Sequence, residues 1–261
     1  MSKKENLTTK KASKLLGERI IIPAGYINIG KNAFEYRKDI KSIIIPDSVV
    51  AIGRQAFKYC SSLEHITIPN SVTTIREDAF HSCKSLTSIT IPDHVVLTEI
   101  QNSPMFSRCK SLANISVSAN HIRYSSQDGV LYSKDKTTLI RCPEGMTGSY
   151  IIPESVKAIR NWAFYNCDAM TSVIIPDSVR SIYSNAFAGC RMLTYITIPD
   201  SVQLISRNAF MFFEKDGGSM VATYKGKVYK VVEDSEIKYV YYNLPQEFYD
   251  AINRASKETE S

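Results

Sequence analysis

Proline marks time along this chain. Pro23, Pro46, Pro69 and Pro92, and again Pro153, Pro176 and Pro199, give five successive spacings of 23 residues. Around them recurs one phrase: two alternating aliphatic residues, the proline, a small polar pair, Val, Ile, and then Ala-Phe-x-x-Cys, with Arg37 and Phe213 in the cysteine place of the end copies. A fixed period of this length specifies a solenoid, in which each copy is one supersecondary unit that cannot bury its apolar side alone.

The copy from Leu63 to Cys83 shows what each position does. Ile66 and Ile68 alternate with Thr67, the period of a strand with one side buried. Pro69 ends that strand because it has no N–H for a neighbouring ladder. Asn70-Ser71, or Asp47-Ser48, Asp177-Ser178 and Asp200-Ser201 elsewhere, are turn residues whose side chains bond their own backbone. Val72 and Ile75 point back inward. Ala79-Phe80 with Cys83, at i, i+1 and i+4, suit about one helical turn on the outer side. The Ala-Phe pair returns at Ala33-Phe34, Ala56-Phe57, Ala163-Phe164, Ala186-Phe187 and Ala209-Phe210, with Met105-Phe106 as a variant. One continuous internal column of phenylalanine is the expectation. Eight turns begin near Gly17, Ile40, Leu63, Leu86, Leu112, Thr147, Met170 and Leu193.

Read as Ser-Ile-Thr-Ile-Pro-x-Ser-Val-x-x-Ile-x-x-x-Ala-Phe-x-x-Cys-x-Ser-Leu, the unit resembles the BspA-type leucine-rich repeat family. Residues 62–86 and 172–190 match nearly letter for letter, and the likeness covers about residues 17–215. It implies an α/β solenoid, a right-handed superhelix with a parallel β-sheet on its concave face and turns and short helices opposite. It also implies a bacterial, non-enzymatic protein-binding scaffold. The alternative it carries is a cell-surface adhesin for host extracellular-matrix proteins.

Two turns depart from the period. The fourth is three residues longer, through Leu97 to Pro104. The fifth has Ser118 in place of proline and an insert, about residues 122–146. There the apolar runs Val130–Tyr132 and Leu139–Ile140, around Ser-Lys-Asp-Lys, read as a hairpin. The same Asp-Gly-Val-Leu-Tyr insert belongs to BspA-like proteins. Insertions in solenoids map to one face, often the binding one.

The ends differ in composition. Residues 1–16 carry Lys3, Lys4, Lys10, Lys11 and Lys14 against Glu5, and read as a basic segment with a short helix over Thr8–Leu16 that caps the first turn. Residues 216–261 read as a C-terminal cap: a hairpin turning at Lys225-Gly226, a third strand over Ile237–Tyr242, and a helix from Pro245 with Leu244, Phe248 and Ile252 as its apolar stripe. Six of the fifteen tyrosines lie in that cap, so an accessory binding module is the competing reading.

Of the net charge of +6, the first nineteen residues supply +4 and the last forty-six about −2; the +4 left over the repeats is mild and dispersed, which argues against a nucleic-acid surface. No apolar run reaches the roughly 18 residues that cross a bilayer, and no apolar stretch follows the N-terminal lysines as in a signal peptide. The chain as written reads as a cytoplasmic monomer; a missing leader would change that to surface or secreted.

Cys60, Cys83, Cys109, Cys167 and Cys190 share one slot, three residues after Phe. Equivalent side chains one turn apart point in parallel, which suits buried packing thiols and not disulfides. Cys142 is the cysteine outside that register and hence the candidate reactive thiol. The histidines, His65, His81, His94 and His121, fall in different slots, and no metal, cofactor or nucleophile motif occurs. Neither an enzyme nor a cofactor is expected.

The outward strand positions form two rows. Ile21, Ile44, Thr67, Thr90, Ser116, Ile151, Ile174 and Thr197 suit a β-branched ladder that stabilises strands. The neighbouring row supplies the candidate partner-binding residues Ser42, His65, Ser88, Asn114, Ser172 and Tyr195.

Overall fold

The computed structural model describes residues 5–98, 105–206, 209–210, 220–224 and 227–231, the last two segments as backbone only. The predicted third strand and helix of the C-terminal cap lie outside the described residues, as does most of the lengthening in the fourth turn. The chain forms two compact units: residues 1–134 with 143–145, and residues 135–142 with 146–261.

In the first unit the Ile-x-Ile stretches become the strands Arg19–Ile21, Ser42–Ile44 and His65–Thr67, paired in parallel, and Ser88–Ile91 paired with Asn114–Val117. The ladder is interrupted between His65–Thr67 and Ser88–Ile91. In the second unit the same positions give Gly148–Ile151, Met170–Ile174 and Tyr195–Ile198, extended by Met220–Tyr224 and then Lys227–Val231, the expected hairpin about residues 225–226. It extends the sheet by one parallel and one antiparallel strand.

A second parallel sheet runs through the stretch after the polar turn, where the sequence promised only inward-pointing residues. Glu5–Leu7, Tyr26–Ile29, Ala51–Ile52, Thr74–Ile75 and Val96–Leu97 form it in the first unit. Thr138–Arg141, Ala158–Ile159, Ser181–Ile182 and Leu204–Ile205 form it in the second. Glu5–Leu7 covers the edge of this sheet, followed by a helix only four residues long, Thr9–Ala12. Strand and helix together take the place of the longer helix expected over Thr8–Leu16. Arg37 Nη1 and Nη2 donate to Ala12 O (3.3 Å) and Leu15 O (3.0 Å), satisfying carbonyls at the end of that helix.

The Ala-Phe-x-x-Cys segment is not a helical turn. Asn32 (φ 57°) and Tyr36 (φ 63°) are left-handed, as are Gln55 and Tyr59, Asp78 and Ser82, Trp162 and Asn166. These reversals turn alternate peptide planes. The amides of Ala33, Glu35 and Arg37 bond back within their own coil, to Gly30, Asn32 and Phe34. Those of Asn32, Phe34 and Tyr36 instead donate to Arg54 O, Ala56 O and Lys58 O of the next coil, at 2.8–3.1 Å. A helix would satisfy every amide internally and leave nothing to join coil to coil on this side. Close stacking here also demands small residues: a Cβ on Gly53 would lie 2.7 Å from the Gly30 carbonyl carbon.

The core is a stack of rings. Phe34, Phe57, Phe80 and Phe106 follow one another with centroids 5.4, 5.4 and 6.1 Å apart in the first unit; Phe164, Phe187 and Phe210 follow at 4.8 and 5.2 Å in the second. The expected single column is therefore two runs. Cys142 occupies the phenylalanine slot at the start of the second unit: its N–H donates to Ala163 O at 2.7 Å, just as Phe164 N–H donates to Ala186 O at 2.6 Å. Cys142 thus stands outside the cysteine slot, as expected, but inside the repeat, at the phenylalanine place three residues earlier.

The insert does contain a hairpin, Tyr124–Gln127 with Val130–Ser133, turning at Asp128-Gly129. This turn is additional to the one expected at Ser-Lys-Asp-Lys, on either side of which the two apolar runs are strands as predicted, Val130–Ser133 and Thr138–Arg141. Asp128 and Gly129 are both left-handed (φ 51° and 78°), the conformation a two-residue hairpin loop requires.

Candidate functional site

The outward rows are built by the strand pleat and differ between the units. In the first, Ser42 stands opposite His65 and Arg19 opposite Ser42, while Ser88 stands opposite Asn114. His65, Ser88 and Asn114 are exposed and Ser42 is half-buried. Asn114 Oδ1 accepts from Ser116 Oγ at 3.1 Å. In the second unit Ser149, Ser172 and Tyr195 are in register, with Ser172 Oγ bonded to Ser149 Oγ at 2.7 Å. Beside them run Ile151, Ile174 and Thr197, also in register. Ile151 is 67% exposed, Ile174 41% and Tyr195 39%. Pairing brings Ser172 and Tyr195 together on one face, and His65 next to Ser42. Cys142 joins neither group.

The thiols are packing groups. Cys60, Cys83, Cys109 and Cys190 each aim Sγ at the carbonyl of the phenylalanine one coil earlier, at 2.9–3.2 Å, and Cys167 aims at Cys142 O at 3.8 Å. Burial pushes the Cys60 thiol up to about 12 and holds those of Cys83, Cys142 and Cys190 well above the usual thiol range. Cys142 is fully buried beside Met146, with Sγ 3.5 Å from Sδ. The thiolate a nucleophile needs is disfavoured at such a site, so the geometry opposes the reactive-thiol expectation. Among the described residues no three His, Cys, Asp or Glu side chains gather as a metal site, and no helix is long and apolar enough to cross a membrane.

Sequence reasoning missed an outer aromatic group. Tyr36 and Tyr59 stack at 4.7 Å, and His81 meets Tyr59 edge-on at 5.6 Å. In the second unit Trp162 packs edge-on against Tyr165 at 4.8 Å, with the Arg141 guanidinium 6.0 Å from the Tyr165 ring. The signal was available as aromatic residues flanking the core phenylalanine in successive copies. Reading that stretch as helix put them on no common line.

His121 is buried, although polar. Its Nε2 lies 3.0 Å from Val95 O, and its Nδ1 accepts from the amides of both Arg123 and Tyr124 at 3.0 Å. That pattern fits one neutral tautomer, with the proton on Nε2. Burial pushes its pKa below the ordinary histidine value, and Lys134 and Arg123 act in the same sense; the bond to Val95 and the charge of Asp93 oppose them.

Stacked coils, two parallel ladders and an aliphatic interior define a leucine-rich repeat solenoid. The BspA-type leucine-rich repeat region matches residues 27–148 and 146–215 as six copies, so the chain belongs to that family. Among solved structures, the pneumococcal vaccine antigen PcpA is similar at 27% identity with a TM-score of 0.64, over 74% of this chain and 54% of its own. A leucine-rich repeat protein from Eubacterium ventriosum shares the fold at 23% identity and a TM-score of 0.59, over 79% of this chain and 62% of its own. The chain therefore spans less than two thirds of either structure. No curated protein matches it.

Proposed function

We propose that the chain is a non-enzymatic scaffold that binds a protein partner on the outward strand face of the second unit. The observation that carries this is the in-register exposure of Ile151 and Ile174 beside Ser172 and Tyr195. Isolated exposed aliphatics are ordinary, but aliphatic side chains on adjacent rungs with a tyrosine alongside make a contiguous apolar patch on a rigid sheet. Tyrosine supplies large contact area with little entropy to lose, and the neighbouring hydroxyls offer hydrogen bonds at the rim. Solenoids use such extended sheet surfaces for partners. Family membership supports the scaffold reading, and the buried, protonated thiols support its non-enzymatic character.

The test compares immobilised wild type, Ile151→Lys/Tyr195→Ala and His65→Ala/Asn114→Ala in quantitative pull-downs. Proteins enriched by wild type should be lost with the first variant and kept with the second, all three melting alike. Equal capture by the first variant would remove this face from the function.

A further inference from the structure

The insert hairpin lies as a strap along the Asn114–Val117 strand. Ile115 N–H donates to Gly129 O at 2.9 Å, and Val117 N–H donates to Ser126 Oγ at 3.0 Å. The approach is tight: a Cβ on Gly129 would lie 2.8 Å from Ala113 O. These bonds occupy amides of a strand edge that would otherwise be open to pairing with another chain. The segment leading into the strap, His121 to Tyr124, is held by the His121 ring.

We propose that His121 is a proton-operated latch: protonation of Nδ1 releases the strap and uncovers the Asn114–Val117 edge. Nδ1 has two backbone N–H groups aimed at it, from Arg123 and Tyr124. A proton placed there turns the acceptor into a third donor in a site built for one acceptor. Both bonds are lost, and the imidazolium is left in a desolvated pocket. The one alternative acceptor on the ring's other side, Val95 O, already takes the Nε2 proton. The charged groups around the ring are mixed. Arg123 flanks it on its own segment. Lys134, whose Nζ donates to Ala119 O at 3.0 Å, stands at the far end of the strap, and both cations oppose protonation. Asp93, in the turn packed against the ring, favours it, and its buried Oδ1 has no hydrogen-bond partner among the described residues. Tyr124, the first strap residue, packs its ring 4.9 Å from the imidazole, so movement of one displaces the other.

The sign follows from linkage. The closed strap binds the proton less well than an open one, whose histidine titrates near the ordinary 6.5. Closure is therefore fully favoured above that pH. As pH falls below it, opening rises by up to about tenfold per unit, until the closed form's own lower pKa is passed. Hydrogen exchange of the full chain at pH 7.5 and 5.0, corrected for intrinsic exchange chemistry, reads this at the amides of Ile115, Val117, Arg123 and Tyr124. The expected result is about tenfold or greater loss of protection at these four, with the Ala51 and Thr74 strands of the same unit unchanged. His121→Asn should abolish the pH dependence. If that variant fails to fold, the NMR titration of His121 in wild type decides the matter. A value below 6.5 is expected, and titration at or above 6.5, or equal protection at both pH values, overturns the latch.

Discussion

In the first unit the outward strand positions include Arg19, Ser42 and His65, with Glu18, Lys41 and Glu64 before them and Ile21, Ile44 and Thr67 after, and Lys41 Nζ sits 2.8 Å from Glu18 across adjacent rungs. In the second unit the same positions are Ser149, Ser172 and Tyr195, with Thr171 and Thr194 before them and Ile151 and Ile174 after. The first face sets charged side chains beside its aliphatics; the second has hydroxyls beside its own and no charge at these positions. Inside, the two units are nearly the same, each with a phenylalanine stack, a cysteine row bonded to carbonyls and the second short ladder. Selection for packing fixes only the positions that point inward, because those alone meet equivalent atoms on both neighbouring rungs. The outward positions meet solvent, so the repeats can diverge there at little cost in stability.

The comparison breaks most easily at the core. Phe80→Ala in the first unit and Phe187→Ala in the second should each cost about 3–5 kcal/mol, read as a fall in the denaturation midpoint, since each empties a ring-sized space between two stacked neighbours. If one were silent, the interiors would not be equivalent. Cys142→Ala tests the odd rung of the second unit, where a thiol holds the ring position. Only one buried sulfur is removed, so about 1–2 kcal/mol is expected by the same measurement. A loss as large as that of Phe187→Ala would mean that Cys142 does more than fill space. The smallest effect sharpens the backbone comparison. Arg108 in the first unit is left-handed (φ 62°), in the slot that Gly189 fills in the second (φ 77°). Arg108→Gly keeps the amide that donates to Glu144 Oε1 and should raise stability by about 0.5–1 kcal/mol. A loss would show that the arginine side chain outweighs the relief.

The pleated first strands were legible because Ile-x-Ile alternation and a closing proline leave a strand little freedom to be anything else. The pairing of Ser172 with Tyr195 and of Ser42 with His65 followed from the period alone. The outer segment was misread because Ala-Phe-x-x-Cys has helical spacing over four residues, too short a window to separate a helix from consecutive turns. Left-handed Tyr36, Tyr59 and Trp162 carry no glycine to announce them. The place of Cys142 in the repeat was hidden because Arg141-Cys142 shares no letter with Ala-Phe, and only its bonds to Ala163 and Cys167 show the equivalence.

By itself, the order of residues settled the period, the number of coils, the direction of the first strands and the inward position of the phenylalanines and most cysteines. These are consequences of local pattern repeated at one interval. Only the folded chain decided that alternate outer amides bond across coils, that Cys142 begins the second unit's core, and that the hairpin straps a strand edge through His121. Each of these depends on which backbone groups meet a neighbouring rung, and that meeting has no signature in a single copy of the repeat.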